Sequence, residues 1–349
     1  MDKPGEGRSE SQLAAAALAS LVPRERAFQE IARCGGVRAA LARLPAGPGV
    51  LQSLRVRCEG LGLSLVSFFD AEFPALLREI PDPPLALYLL GNRALLHTRA
   101  VAVVGSRRCS RGGAQFAAHL GRGLAAQGFT VVSGLALGID AAAHRGVADL
   151  APAALPAVAV MGCGLAEVYP RSNYGLAQTL LGGGGLLVSE YPPDMPPAKH
   201  QFPERNRLIS GLCLGVVLVE ASQRSGSLIT ARLALEQGRE VLAVPGSVAG
   251  GMSRGCHRLL KQGAALGEGV DDVAEALGLQ SRATEPAAIA PEELAGVLAA
   301  VSPDGSSLDE VAQRAGIAVS AVAAHLVLLE LEGFVAQVPG GYIRRPSSA

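Results

Sequence analysis

Six short apolar runs punctuate the middle of the chain: VAVV (101–104), TVVS (130–133), AVAVM (157–161), LLVS (186–189), VVLVE (216–220) and EVLAV (240–244). None alternates apolar with charged positions, so each is expected to be a strand covered on both faces. Between most of them lie helical patterns: AQFAAHLGRGLAAQG, GIDAAAHRGVADL, NYGLAQTLL and SLITARLALEQG. Strand–helix alternation of this kind predicts a parallel, doubly wound α/β sheet. In such sheets ligands sit beyond the carboxyl ends of the strands. The residues just after each run therefore carry the functional information.

The flanks have other rhythms. LAAAALASL, AFQEIARCG and GVRAALARL place apolar residues at helical spacing, with turn signals between them. FPALLREIPDPPLALYLLGN combines a helical turn, a proline-rich break and an apolar β-like run, and is expected to be a connector laid against the sheet domain. SRATEPAA (281–288) reads as a linker. Beyond it, SLDEVAQRAG and AVSAVAAHLVLLELEG form a helix-turn-helix pattern and FVAQVPGGYIR a β-wing. The expected division is a helical domain at 1–70, the sheet domain at 71–280, the linker at 281–288 and a winged-helix-like domain at 289–349.

The strand ends share a chemistry. They read Gly105-Ser106-Arg107, Ser133-Gly134, Gly162-Cys163-Gly164 followed by Tyr169-Pro170-Arg171-Ser172-Asn173, Glu190-Tyr191, and Glu220 followed by Arg224-Ser225-Gly226-Ser227 and Thr230. Small residues let a phosphate approach the backbone. The first turn of a helix adds unpaired N–H groups and a positive dipole end. Ser225-Gly226-Ser227 runs straight into a helical pattern and so binds an anion in principle without any lysine; an ordinary serine N-cap fits the same residues. Arg107, Arg171, Arg205, Arg207 and Arg224 are all expected in strand-end loops. Four of the few aromatics, Tyr169, Tyr174, Tyr191 and Phe202, fall outside the apparent strands, where they are candidates for base stacking or for loop packing.

Several chemistries are unsupported. The three lysines precede Pro, His and Gln, so no nucleotide-hydrolysing Gly-x-x-x-x-Gly-Lys-Ser/Thr loop exists. Gly162-Cys163-Gly164 lacks the third glycine of a dinucleotide fingerprint. Gly251-Met252-Ser253-Arg254-Gly255 fits a nucleophile elbow in spacing, but the preceding residues read as a loop where a strand is required. Asp140 and His144 share a helix face, and helix capping and packing account for them better than a metal does. The six cysteines are scattered without a C-x-x-C pair, as expected of a reducing cytosol. No apolar run approaches a membrane span, and MDKPGEGRSE lacks a signal-like segment, so a cytoplasmic protein is expected. The formal net charge is zero, and any polyanion site must be local. A strand of nucleic acid fits these features better than a mononucleotide. The alternative is a nucleotide-binding or nucleotide-hydrolysing Rossmann enzyme.

Taken in order, VVGSR, SGLALGIDAAAHRG, GCGLAEVYPRSN, LLVSEYPP, FPERNRLISGL, VVLVEASQRSGSLITARLALEQGREVLAVPGS and SRGCHRLLKQGA resemble the DNA-processing protein A (DprA/Smf) family. The resemblance implies an extended Rossmann-like core, an N-terminal SAM-like helical domain and a C-terminal winged-helix-like domain. It implies a non-enzymatic binder of single-stranded DNA, without cofactor or metal, that forms a homodimer, protects incoming strands during natural transformation and helps load the RecA recombinase. The candidate DNA-binding residues are Gly105, Ser106, Arg107, Ser133, Gly134, Gly162, Gly164, Arg171, Asn173, Phe202, Arg205, Arg207, Ser225, Gly226, Ser227 and Thr230. Of these the resemblance implies phosphate contact for Arg107 and Arg171 and a shared pocket for Ser225, Gly226, Ser227 and Thr230, with Asn173 and Arg205 close by. Position 171 is often lysine in relatives, and arginine keeps the charge. Two departures matter. LVPRERAF lacks the glycine pair of the family's helix-hairpin-helix-like turn, so no DNA contact is expected there. The presumed recognition helix AVSAVAAHLVLLELEG has no Lys or Arg, so a protein-contact or regulatory role is expected of it.

Overall fold

The computed structural model describes residues 6–150, 155–248, 251–279, 292–302, 305–331 and 334–344. The expected linker at 281–288 lies outside the described residues.

Four helices open the chain: α1 (Glu6–Leu21), α2 (Arg24–Cys34), α3 (Val37–Ala42) and α4 (Gly47–Leu61). From Leu13 to Leu18 every side chain of α1 is buried, so this alanine-rich helix forms the centre of the group. α4 begins on Gly-Pro-Gly, where Pro in the first turn gives up no intrahelical bond. It ends at Gly62, whose φ of 65° suits a residue without Cβ.

The core sheet has nine strands: β1 (Ser64–Ser67), β2 (Ala86–Gly91), β3 (Ala100–Val104), β4 (Thr130–Ser133), β5 (Ala157–Val160), β6 (Leu186–Ser189), β7 (Gly215–Leu218), β8 (Glu240–Ala243) and β9 (Ala265–Leu266). Their spatial order is β1-β2-β6-β5-β4-β3-β7-β8-β9. From β6 to β9 the pairing is parallel, while β1–β2 and β2–β6 are antiparallel. The six expected strands all form, within a residue or two of their expected ends. Two readings change. The apolar run in FPALLREIPDPPLALYLLGN is no connector but β2, a full member of the sheet paired to β1 and β6; only Ala75–Arg78 before it (α5) is a helical turn. The sheet begins at Ser64, on the N-terminal side of the expected 70/71 boundary.

The strands alternate sides in the way a two-layered cover demands. Val101 and Val103 face a layer containing α6 (Arg111–Ala126), α7 (Ile139–Ala148), α8 (Tyr174–Gly182) and the N-terminal helices. Ala100, Ala102 and Val104 face a layer containing α5, α9 (Gln201–Gly211), α10 (Ser227–Glu236) and α11 (Arg254–Lys261). Both faces being dry explains the uninterrupted apolar strands. A further helix, α12 (Val270–Ala276), packs beside α6 on the first face.

After β3 the chain winds outward through β4, β5 and β6, then crosses back to β7 on the other side of β3. The carboxyl ends of β3 and β7 are therefore the switch point of the sheet, where the departing loops diverge and leave a crevice.

The C-terminal unit has α13 (Glu292–Ala300), α14 (Leu308–Ala315), α15 (Val319–Leu331) and a hairpin of β10 (Val335–Val338) with β11 (Gly341–Arg344). α14 starts on a reciprocal cap: the Ser307 hydroxyl accepts from the Glu310 N–H, and the Glu310 carboxylate accepts from the Ser307 N–H. Leu294, Val311, Val322, Leu326 and Val335 form its own core.

Candidate nucleic-acid interface

Because the strands run parallel from β6 to β9, their carboxyl ends lie on one rim. A cleft of about 750 Å³ opens there at the switch point. The β3 loop supplies Gly105, Ser106, Arg107 and Arg108. The β7–α10 loop supplies Ser225, Gly226 and Ser227, with Thr230 behind them. α9 and the residue two before it supply Phe202, Arg205, Asn206 and Lys199.

The β3 loop is fastened from three sides. Ser106 N–H donates to the Glu220 carbonyl at 2.7 Å, and Ile139 N–H donates to the Ser106 carbonyl at 3.2 Å. Arg108 N–H donates to the Ser106 hydroxyl at 3.1 Å. Gly138 makes this approach possible: a Cβ there would stand 2.2 Å from the Ser106 carbonyl oxygen, and its φ of 80° excludes a side chain as well.

Two helices begin beside the cleft, and they differ. The amino end of α6 is occupied: the Ser110 hydroxyl accepts from Gly113 N–H, while Ser110 N–H and Oγ donate to the Glu220 carboxylate at 2.9 and 2.6 Å. The amino end of α10 has no side-chain cap at Gly226. Ser225 and Ser227 bond each other, Oγ to Oγ, at 2.7 Å, and the Ser225 hydroxyl also accepts from Ser227 N–H at 3.4 Å, while Leu228 and Ile229 N–H turn back onto the Ser225 and Gly226 carbonyls at 3.2 and 3.1 Å. The two serine hydroxyls and the positive dipole end of α10 line the cleft and favour an anion there.

Arg107 and Lys199 are exposed, and among the described residues neither is ion-paired. The Arg107 guanidinium stands 5.2 Å from the ring centre of Phe202. Tyr169, exposed, packs on Phe202 with ring centres 5.5 Å apart. Gly162 lies under this pair, and a Cβ there would come within 2.8 Å of the Phe202 ring. Gly134, Gly162, Phe202 and Arg205 also line a smaller recess beside the main cleft. Cations and an aromatic platform thus meet on one rim.

Other expected contacts take different places. Arg205 is buried, and its Nη1 donates to the Gly134 carbonyl at 2.9 Å and to the Val160 carbonyl. Burial lowers its pKa to about 10, which leaves it charged at neutral pH. Asp140, also buried, accepts from Gly134 N–H at 3.1 Å; burial raises its pKa against the opposing pull of Arg205. Arg205 and Asp140 hold the β4 and β5 loops from behind. Ser133 is buried and donates to the Val103 carbonyl at 2.7 Å. Asn173 is buried and donates to the Leu135 carbonyl at 2.9 Å, bracing a non-glycine residue at φ 52°. Gly164 packs under the carbonyls of Pro192 and Pro193. Arg207 lies at the junction with the N-terminal helices, where Arg207 and Arg24 pair with Glu190 at 2.7 and 3.0 Å and with Asp82. For Ser133, Asn173, Gly164 and Arg207, expected among the DNA-binding residues, the polar groups or backbones are committed inside the fold. Arg171 is exposed beside Glu167, in a neighbouring groove that shares Tyr169 with the cleft.

The motif reading missed Lys199, Arg108 and Asn206. Lys199 had one signal, being among only three lysines of the chain. Of the four aromatics singled out, Tyr169 and Phe202 meet at the cleft. Tyr174 is exposed at the start of α8, and Tyr191 donates to Glu204 at 3.0 Å.

Comparison with known proteins places this geometry. The family model described as DNA recombination-mediator protein A matches residues 64–278, and that of the DprA winged helix domain matches residues 281–341. Protein Smf of Escherichia coli is 44% identical over 286 residues, 79% of this chain and 76% of that protein. DNA processing protein DprA of Streptococcus pneumoniae is 46% identical over 207 residues, 59% and 72% of the two chains. The X-ray structure of DNA processing protein A from Streptococcus pneumoniae superposes with a TM-score of 0.65 at 34% identity, covering 79% of this chain and 99% of that one. A structure of the Helicobacter pylori protein, concerned with its single-stranded DNA binding mode, gives a TM-score of 0.55 at 30% identity over 62% and 95%.

Proposed function

The chain belongs to the DNA recombination-mediator protein A family, and on that footing we propose that its switch-point cleft binds single-stranded DNA without carrying out chemistry on it. The observation that carries this reading is the meeting of Arg107, Lys199, the Phe202–Tyr169 pair and the serine-lined amino end of α10 on one rim. Phosphates take the cations, the serine hydroxyls and the positive end of α10, and unstacked bases take the rings. A duplex keeps its bases inside and offers nothing to Phe202. The protein then holds incoming strands in natural transformation and helps load RecA onto them, as a cytoplasmic homodimer. The helical, Rossmann-like and winged-helix-like domains divide this work, the last by contacting protein.

The test is a salt series of oligo-dT binding. Three exposed cations, Arg107, Arg108 and Lys199, line the cleft, and a fourth, Arg171, lines the neighbouring groove, where Arg57 is held by Asp194. At about 0.7 per phosphate they set a log–log slope near −2.8, or roughly a fiftyfold loss of affinity between about 50 and about 200 mM salt. Arg107→Ala with Arg171→Ala halves the slope, to roughly a sevenfold loss, and weakens oligo-dT by about thirtyfold at low salt, taking about 1 kcal/mol per contact. Duplex binding changes little. Equal oligo-dT affinity in the wild type and the double variant refutes the proposal.

A further inference from the structure

A second groove, of about 610 Å³, adjoins the cleft at Tyr169, whose side chain lines both. Its walls come from two parts of the chain. The core contributes Arg171 and the proline-rich segment after β6, with Asp194, Met195 and Pro196; the N-terminal helical group contributes Arg57 of α4. Tyr169 and Met195 are exposed apolar surfaces within it. Both of its cations are closed off by carboxylates. Arg57 donates through Nε to the two oxygens of Asp194 at 2.9 and 2.7 Å, and Arg171 lies 3.3 Å from Glu167. Arg57 Nη2 also donates to Asp194, so this pair is a two-pronged fork, but all four side chains are 45% or more exposed and solvent screens both pairs, which lets a phosphate compete for the cations.

We propose that a single strand leaving the cleft runs past Tyr169 into this groove, where a phosphate displaces Asp194 from Arg57. The inference rests on the cleft's reading as a single-strand site. It gives the N-terminal helices a DNA contact through α4, with no part for the turn at LVPRERAF. Asp194 acts as a tethered competitor of the phosphate. The mixed cationic and apolar walls suit a strand with its bases turned out, and the shared Tyr169 makes the path continuous.

Anisotropy with oligo-dT from about 4 to about 20 nucleotides tests it. Arg57→Ala weakens the long strand by about fivefold, lowers its salt slope by about 0.7, and leaves the shortest strand unchanged. Asp194→Asn frees Arg57 and tightens the long strand by about threefold. Both variants break the same bond between α4 and the core, so loss of domain docking would weaken binding in both; opposite signs require the phosphate contact. Long-strand binding that is weaker in both variants, or unmoved in both, with normal short-strand binding, overturns the groove while leaving the cleft. A wild type that binds neither strand overturns both.

Discussion

Arg205 and Arg107 both face the cleft, yet they are expected to fail in opposite ways when truncated. Arg205 is 4% exposed, and its guanidinium satisfies the carbonyls of Gly134 and Val160 at the ends of β4 and β5. It also supplies the positive charge nearest the buried Asp140. Arg205→Ala removes two charge-assisted hydrogen bonds to carbonyls and a longer one from Nε to Asn206 Oδ1 at 3.3 Å, and strands a buried carboxyl. At about 1.5–3 kcal/mol per bond, offset by the desolvation that Arg205 no longer suffers, the net loss is about 3 kcal/mol. For a unit of this size that is a fall of about 6–12 °C in Tm. Arg107 is exposed, and Arg107→Ala is expected to stay within about 0.5 kcal/mol of wild type in stability while losing DNA affinity. Calorimetry on the two variants, with oligo-dT anisotropy well below the lower Tm, separates the roles. An Arg205→Ala protein with unchanged Tm and lost affinity would refute the bracing role and make Arg205 a direct contact.

Two further substitutions probe the frame. Gly138→Ala puts a Cβ 2.2 Å from the Ser106 carbonyl at φ 80°, and is expected to cost about 3 kcal/mol and to displace Arg107; a Tm within about 2 °C of wild type counts against that packing. His144 is buried, and burial lowers its pKa from 6.5 to about 4. Below pH 6.5 the unfolded chain takes up a proton that the native site refuses, so this stability is whole above 6.5 and declines towards pH 4 by about 3 kcal/mol. Urea unfolding of His144→Gln across that window shows a shallower decline, and identical slopes in the two proteins would exclude His144 as the source.

The parallel core was legible because its strands are covered on both faces. A run such as VAVV has no polar side to present, and that pattern belongs to the local sequence. β2 was legible as a β-like run but not as a member of the sheet, because prolines precede it and its partner β6 lies far away in the chain, and pairing across such a distance leaves no local trace. α9 was harder still. QFPERNRLISG carries Pro203 and two arginines where a covered helix ordinarily shows aliphatic residues, and Arg205 and Arg207 are both buried. A sequence counts an arginine as a surface charge until the partners that neutralise it come into view. For Arg207 these are Glu190 and Asp82, and for Arg205 the buried Asp140, helped by the carbonyls of Gly134 and Val160.

The same ambiguity explains why the candidate site was legible as a rim but not residue by residue. Small and polar residues after a strand serve two ends: some face the ligand, and others hold the loops that do. Ser106 and Ser133 read alike, yet Ser106 lines the cleft while Ser133 bonds the Val103 carbonyl beneath it. The two helix starts make the point with charge. α6 and α10 both open beside the switch point after serine- and glycine-containing loops, but the first is held by the carboxylate of Glu220 and the second only by neutral serine and backbone groups. Occupying one amino end with the protein's own carboxylate removes a competing anion site and directs a phosphate to the other. Zero net charge is therefore compatible with the proposed polyanion site, because the positive end of α10, its serine hydroxyls and a few exposed cations act locally, where the summed charge has no bearing.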